Sequence, residues 1–151
     1  MARRYIAQGS QAAALTDTIL TVVSNTTVRP HVYEVLFGSA ATPADQAFLI
    51  NCQRFAAGAG TAGSAADITK MDGADPATQC TAGQAHSVEP TYVASDIPLK
   101  FAINQQATFR WVVLPAYGII LTNSASAGLG GVPLVVSGGT PTLQLQFAWE
   151  E

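Results

Sequence analysis

The stretch that decides the fold is "TLQLQFAWEE", residues 142–151. Apolar residues stand at every second position from Leu143 to Trp149, and Gln144 and Gln146 stand between them. Successive side chains of a β-strand point to opposite faces of the sheet. The segment therefore predicts a strand with one apolar face and one mostly neutral polar face.

Segments of this kind recur along the chain. Runs rich in β-branched and aromatic residues alternate with Gly, Pro, Ser and Asn every 10 to 20 residues, roughly, which is typical of an all-β sandwich or barrel. Helical signal is confined to one expected turn at Pro43 to Ala47, where Thr42 suits the cap and Pro43 the first helical position. The predicted strands are residues 17–23, 32–38, 48–55, 97–104, 107–114, 117–123, 132–137 and 142–151.

Two segments lack a clear strand pattern. Residues 1–14 hold Arg3 and Arg4 and then a run of small residues, and we expect an N-terminal arm that precedes a single domain at residues 15–151. Residues 56–89 show little periodicity, and we expect one long loop there. The loop is either a surface insertion or a segment ordered by contact with another chain, and the functional bias of long loops favours the second.

Composition narrows the classes of partner. The chain is 48% hydrophobic and only 11% charged, with a net charge of −3, whereas a typical soluble domain has about 25% charged residues. There is no basic stripe, so we expect no nucleic-acid partner. No apolar run approaches the roughly 20 residues that span a bilayer, and the N-terminus lacks the apolar stretch of a signal peptide. We therefore expect no membrane partner, synthesis in the cytoplasm without export, and a surface partly covered by neighbouring chains.

Sequence motifs for catalysis are weak. Residues 58–63 match the glycine spacing of a dinucleotide site, but no amphipathic helix follows them. The segment "TNSASAG" resembles a nucleophile elbow around Ser126, yet Ser124 stands where that motif needs its first glycine. His31 and His86 are the only histidines. We expect no enzyme.

Metal and disulfide signals are equally sparse. The histidines and the two cysteines, Cys52 and Cys80, have no ligand-like spacing. Asp72 to Asp75 lacks the spacing of a calcium loop and predicts a turn. We therefore expect no cofactor and two free thiols, with a disulfide that pins the long loop as the alternative.

Aromatic residues raise the alternative of a sugar site. The alternation around Trp111 and Trp149 places both rings in the core, whereas Tyr92 and Tyr117 stand beside loops and are freer. A sugar site on exposed aromatics therefore has little support in the sequence.

Longer phrases resemble the family of tailed-bacteriophage head decoration, or cement, proteins. The similarity extends over most of the chain from His31 onward. It implies a jelly-roll-like antiparallel β-sandwich, commonly a homotrimer, on the capsid exterior of the virion. The phrases are "HVYEVLFGSAATPADQAFLINCQRF", "ITKMDGADPAT", "IPLKFAINQQATFRWVV" and "GLGGVPLVVSGG", which begin at residues 31, 68, 97 and 128.

The resemblance implies that the partners are the major capsid protein and further copies of the chain. One alternative is a tail-associated or receptor-binding β-module. Another is an enzyme on a β-sandwich or a cupin-like barrel, of which the cupin would need clustered His and Glu ligands. The expected capsid or inter-subunit contacts are Arg3, Arg4 and Tyr5 on the arm, Gln144 and Gln146 on the final strand, and Lys70, Met71 and Asp72 in the long loop.

Overall fold

A computed structural model describes residues 2–12, 17–136 and 141–151 of the chain. The described residues form strands, one 3₁₀ turn at Pro115–Tyr117 and connecting segments, which confirms the all-β prediction. The strands are β1 (Arg4–Ala12), β2 (Leu20–Val23), β3 (His31–Ala41), β4 (Ala47–Phe55), β5 (Thr61–Ala65), β6 (Ile68–Lys70), β7 (Thr81–Val88), β8 (Leu99–Asn104), β9 (Phe109–Val112), β10 (Ile119–Ile120), β11 (Gly128–Val136) and β12 (Thr142–Glu150).

Two six-stranded antiparallel sheets make up a β-sandwich. Sheet A has the order β10–β3–β12–β1–β6, and β9 also pairs with β3. Sheet B has the order β5–β7–β2–β11–β4–β8. Without β5, β6, β7 and β10, the spatial order of the strands is β1–β12–β3–β9 in sheet A and β2–β11–β4–β8 in sheet B. If these eight strands are numbered from one to eight along the chain, the two orders are 1–8–3–6 and 2–7–4–5.

The final strand behaves as its alternation predicts. Leu143, Leu145, Phe147 and Trp149 are buried between the sheets, whereas Gln144 is exposed. Burying apolar side chains of this size contributes roughly 1.5–3 kcal/mol each relative to exposure, so β12 is a central element of the core.

The prediction of an N-terminal arm is wrong for the residues that the structure describes. Residues 4–12 form β1, which pairs with β12 along its whole length and with β6 over Tyr5 to Ala7. The inward positions of β1 are Tyr5, Ala7 and Gly9. Because Ala7 and Gly9 are small, the sequence does not show the alternation of large apolar and polar residues that marks a strand. The domain therefore begins before residue 15; residues 1, 13 and 14 of the predicted arm lie outside the described part.

The prediction of one long loop at residues 56–89 is also wrong. That stretch contains three strands: β6 extends sheet A beside β1, and β7 and β5 extend sheet B beside β2. These strands consist largely of Thr, Ala, Gly and Ser, and their pairing depends on the neighbouring strands more than on their own propensity.

The expected helical turn at residues 43–47 does not form. The main chain there bonds to the next β-turn instead: Ala44 N–H donates to Gln105 Oε1 at 2.8 Å, and Gln105 N–H donates to Gln46 O at 2.8 Å. These hydrogen bonds with Gln105, which follows the end of β8, outweigh the local preference of Pro43 for a helical turn.

Candidate functional site

The candidate site lies on the surface of sheet A that points away from sheet B, here called the outer face. The cross-strand register places its residues in rows. They are Arg4, Ile6, Gln8 and Ser10 of β1; Gln144, Gln146, Ala148 and Glu150 of β12; Glu34, Leu36 and Gly38 of β3; and Arg110 and Val112 of β9.

The charged residues of the outer face pair with one another. Arg4 Nε lies 3.1 Å from Glu150 Oε2, and Arg110 Nε lies 2.8 Å from Glu34 Oε1. The hydrogen bond to Glu34 raises the pKa of Arg110 above its ordinary value. Exposed ion pairs add only about 0–1 kcal/mol to stability, so their main effect is to leave this face without net charge.

The structure brings together two groups of predicted contact residues that are distant in sequence. Tyr5 is opposite Lys70 in the antiparallel pairing of β1 and β6. Met71 N–H donates to Arg4 O at 2.8 Å, which places Met71 beside Arg4 at one end of sheet A. Arg3 pairs with Glu151 through main-chain hydrogen bonds of 3.1 and 2.9 Å at the same end.

Tyr5 is not a surface contact, contrary to the prediction. Its side chain is completely buried, its ring centroid is 5.9 Å from that of Trp149, and its hydroxyl donates to Pro76 O at 3.1 Å. Burial raises the pKa of Tyr5 above its ordinary value. Tyr5 is therefore a core residue, since no partner can reach it without unfolding β1.

Lys70 and Asp72 hold the turn that follows β6. Lys70 Nζ donates to Gly73 O at 3.0 Å and to Asp75 O at 2.7 Å, and Asp72 Oδ1 accepts from Ala74 N–H at 2.9 Å. This geometry accords with the turn expected for residues 72–75. These two side chains therefore shape the turn, although both are exposed, as are Arg3, Arg4 and Met71.

A depression of about 500 Å³ lies next to this turn, lined by Ala2, Arg4, Met71, Asp72 and Asp75. Met71 is 57% exposed. The end of sheet A at β6 thus presents an apolar side chain beside mixed charges.

The opposite edge of the same end carries exposed apolar residues that the sequence analysis did not select. Val112, Leu114 and Tyr117 are 53%, 69% and 77% exposed. The alternation from Arg110 through Val112 to Leu114 was the signal that could have identified the first two, and Tyr117 was expected to be freer than the tryptophans. We call Met71, Val112, Leu114 and Tyr117 the apolar end of sheet A.

Gln144 and Gln146 lie towards the other end, on the outer face as predicted. Arg4 pairs with Glu150 and Ser10 pairs with Gln144, so six residues of strand, about 20 Å, separate the two ends. Gln8 Nε2 donates to Gln146 Oε1 at 3.2 Å. A second depression of about 410 Å³ lies here, and polar uncharged side chains make up most of its walls.

A buried polar cluster lies on the other sheet. Glu89 accepts hydrogen bonds from the main-chain N–H and hydroxyl of Thr18, and the Thr18 hydroxyl is 2.7 Å from Tyr92 Oη. Thr21 Oγ1 lies 3.3 Å from His86 Nε2. Burial raises the pKa of Tyr92 and lowers that of His86. The cluster joins the start of β2 to residues 86–92. Tyr92, expected to be freer than the tryptophans, is half-buried, whereas Trp149 is completely buried.

Both cysteines lie in the interior of the protein. Cys52 and Cys80 are free, as expected, and burial raises the pKa of Cys52 to about 12. Across residues 2–12, 17–136 and 141–151, no three His, Cys, Asp or Glu side chains lie close enough to share a metal ion.

Comparison of the chain with protein-family models, curated proteins and solved structures found no match. In the described part of the chain, no helix has the length and apolar character required to cross a membrane.

Proposed function

We propose that this chain is a structural protein of a bacteriophage particle. In this proposal it decorates the capsid exterior as a homotrimer and stabilises the shell by binding across neighbouring major capsid proteins. The observation that carries the proposal is the outer face of sheet A, which combines internally paired charges with exposed apolar side chains at one end.

A partner can cover the outer face of sheet A without burying an unpaired charge. A charged group that loses water without gaining a partner is expensive to bury, but Arg4 and Arg110 already have carboxylate partners. Exposed apolar side chains gain roughly 25 cal/mol for each Å² removed from water. The apolar end therefore supports a role as the contact with capsid or with another protomer.

The strand order supports the finer fold assignment. We propose that the eight strands without β5, β6, β7 and β10 form a jelly roll, because successive strands switch sheets except at the hairpin of the fourth and fifth, as in two Greek keys. The remaining strands would then be insertions that widen the sheets.

In an assembled capsid, each contact between this chain and a capsid protein can be weak. A protein that binds only the assembled shell stabilises it by mass action. Three linked copies raise the effective concentration of each further contact, so each apolar end would need to contribute only a weak interaction.

Copy number tests the proposal directly. Mass spectrometry of purified particles would quantify this chain against the major capsid protein. A ratio near one to one, or one trimer per lattice threefold, is expected. A few copies per particle would favour the tail-associated or receptor-binding alternative, and absence from particles would overturn both.

A second experiment tests the apolar end. Particles lacking the chain would be mixed with the purified protein and sedimented. The double variant Leu114→Ser/Tyr117→Ser should bind at least about tenfold more weakly, since two apolar side chains lose their burial. Val88→Ser is the matched control, because Val88 is 57% exposed on β7 of sheet B. Equal binding by the double variant would exclude the apolar end as the contact.

A further inference from the structure

The second depression of the outer face is lined by uncharged residues. Its volume is about 410 Å³, which is within the range of small-molecule sites. None of the described residues that line it is charged. The polar side chains around it are Gln8, Ser10, Ser39, Gln84, Thr108, Gln144 and Gln146.

Gly38 creates the space. It occupies the row that joins Ser10 and Gln144, where the preceding outer position of β3 holds Leu36. A Cβ atom at residue 38 would make only ordinary contact with Thr108, at 3.7 Å. Because residue 38 has no side chain, a recess remains between the glutamines and Thr108. Close packing does not require glycine at this position, since a Cβ atom would fit.

Several amide groups around the recess retain hydrogen-bonding capacity. Gln8 donates one hydrogen bond from its amide nitrogen to Gln146 Oε1, while Gln84 Oε1 accepts from Ser10 N–H at 3.0 Å. The structure gives no hydrogen-bond partner to the side chain of Gln144 among the described residues. A glutamine amide offers both donors and an acceptor, and a hydroxyl group also both donates and accepts.

We propose that this recess binds a neutral saccharide. Adjacent hydroxyl groups of a sugar ring would pair with the amides of Gln144 and Gln146, and a C–H face of the ring would pack against the half-buried side chain of Leu36. The site differs from the aromatic sugar site considered from the sequence, because amides rather than tyrosines form it.

Other ligand classes fit less well. A charged ligand would lose water without an opposite charge in the walls. A large apolar ligand would bury amide groups that have no other partner. An extended peptide binds by adding to a free sheet edge, but strand β12 is paired on both sides, with β1 and β3. A neutral ring with several hydroxyl groups can form hydrogen bonds with the amide and hydroxyl groups of the recess and has none of these costs.

The glutamines and Gly38 of the proposed site lie away from Met71, towards the other end of the strands, whereas Leu36 borders the apolar end, because it is two residues from Glu34, which is opposite Val112. Failure of sugar binding would leave the copy-number test of the proposed function unaffected, and the reverse also holds.

The test is a titration of the full-length protein, followed through its amide NMR signals. The probes are D-glucose, D-galactose, D-mannose and N-acetyl-D-glucosamine, with N-acetylneuraminic acid as a charged comparison and trialanine amide as a peptide comparison. At least one neutral sugar should shift the side-chain amide signals of Gln144 and Gln146 saturably. Because each hydrogen bond contributes modestly and apolar contact is limited, we expect a Kd on the order of 1 mM.

Two variants locate the site. Gln144→Leu should weaken binding about fivefold for each hydrogen bond lost, and Gly38→Val should abolish it by filling the recess while all polar groups remain. Gln79→Leu is the matched control, because Gln79 is an exposed glutamine outside the recess. Thermal unfolding of each variant would confirm that it folds.

The outcomes separate clearly. The proposal is overturned if no neutral sugar gives a saturable shift, if the shifts map to Tyr117 instead, or if Gln79→Leu weakens binding as much as Gln144→Leu. A stronger response to N-acetylneuraminic acid or to trialanine amide would also overturn it, in favour of a charged or peptide ligand.

Discussion

The rings of Tyr5 and Trp149 lie 5.9 Å apart, and both side chains are completely buried. They are opposite each other in the register of β1 and β12. Aromatic pairs at such distances contribute about 0.5–1.5 kcal/mol beyond the burial of their area. The first and last strands of the sandwich are therefore joined through one part of the core.

This relationship predicts that β1 is essential for folding. Tyr5→Ala should lower the free energy of unfolding by about 3–5 kcal/mol, because a large buried ring is removed and a cavity remains. Tyr5→Phe should cost only about 1 kcal/mol, for the hydrogen bond to Pro76 O. Urea unfolding followed by tryptophan fluorescence would measure both. Arg3→Ala is the exposed control and should stay within about 0.5 kcal/mol of wild type; similar stability for Tyr5→Ala would contradict a core position for β1.

Strand composition explains how much of the fold could be predicted. Strands β4 and β12 hold large apolar residues at inward positions, and the sequence identifies them nearly to their ends. Strands β1, β5 and β7 place Ala, Gly, Ser or Thr where a large residue would mark the strand. Their formation depends on hydrogen bonding to neighbours that are distant in sequence, which a local pattern does not contain.

The candidate site follows the same division. Alternation along β12 correctly places Gln144 on the outer face. Tyr5 was misplaced because the small residues after it conceal the inward face of β1. The recess at Gly38 arises from three strands in register, and no local sequence pattern predicts such a juxtaposition.

Close packing between Gly130 and Tyr92 gives a second prediction. A Cβ atom at residue 130 would lie 2.0 Å from Tyr92 Oη, and the Tyr92 ring also makes an edge contact with Phe55, with centroids 6.0 Å apart. Gly130→Ala should therefore displace Tyr92 and cost about 1–3 kcal/mol, as overpacking does.

Thermal unfolding would measure this cost. Gly73→Ala is the matched control, since a Cβ atom at residue 73 would meet nothing within 4 Å. If Gly130→Ala and Gly73→Ala change the midpoint equally, steric contact with Tyr92 is not responsible.

The burial of the two thiols predicts their reactivity. Cys52 is fully buried and its pKa is raised to about 12, and burial also raises the pKa of Cys80 above its usual range. Because the thiolate is the reactive form, both cysteines should resist iodoacetamide in the native protein at about pH 8 and react rapidly in urea. Mass spectrometry would count the modified thiols. Rapid labelling of the native protein would show that the sandwich opens near β4 or β7.

The carboxylate of Glu151 predicts a pH dependence of stability. It accepts hydrogen bonds from the Thr78 hydroxyl, from Gln79 N–H at 3.1 Å and from Trp149 Nε1 at 3.2 Å. Burial alone raises the pKa of Glu151, but these hydrogen bonds outweigh it and hold the pKa below the ordinary value of 4.5. On acidification the unfolded chain therefore binds the proton first. The stabilisation is complete above about pH 4.5 and is lost as the pH falls through the lower pKa of the folded state.

Glu151→Gln isolates this contribution. At neutral pH the substitution should lower the free energy of unfolding by about 1–3 kcal/mol, as expected for hydrogen bonds to a charged group. The difference between wild type and variant should then shrink in urea unfolding series run from about pH 7 to about pH 3. Glu150→Gln is the control: its partner is Arg4, whose side chain is 54% exposed, so its effect should stay below about 1 kcal/mol. A constant difference between wild type and Glu151→Gln across the series would show that the ionised carboxylate does not stabilise the contact with Thr78.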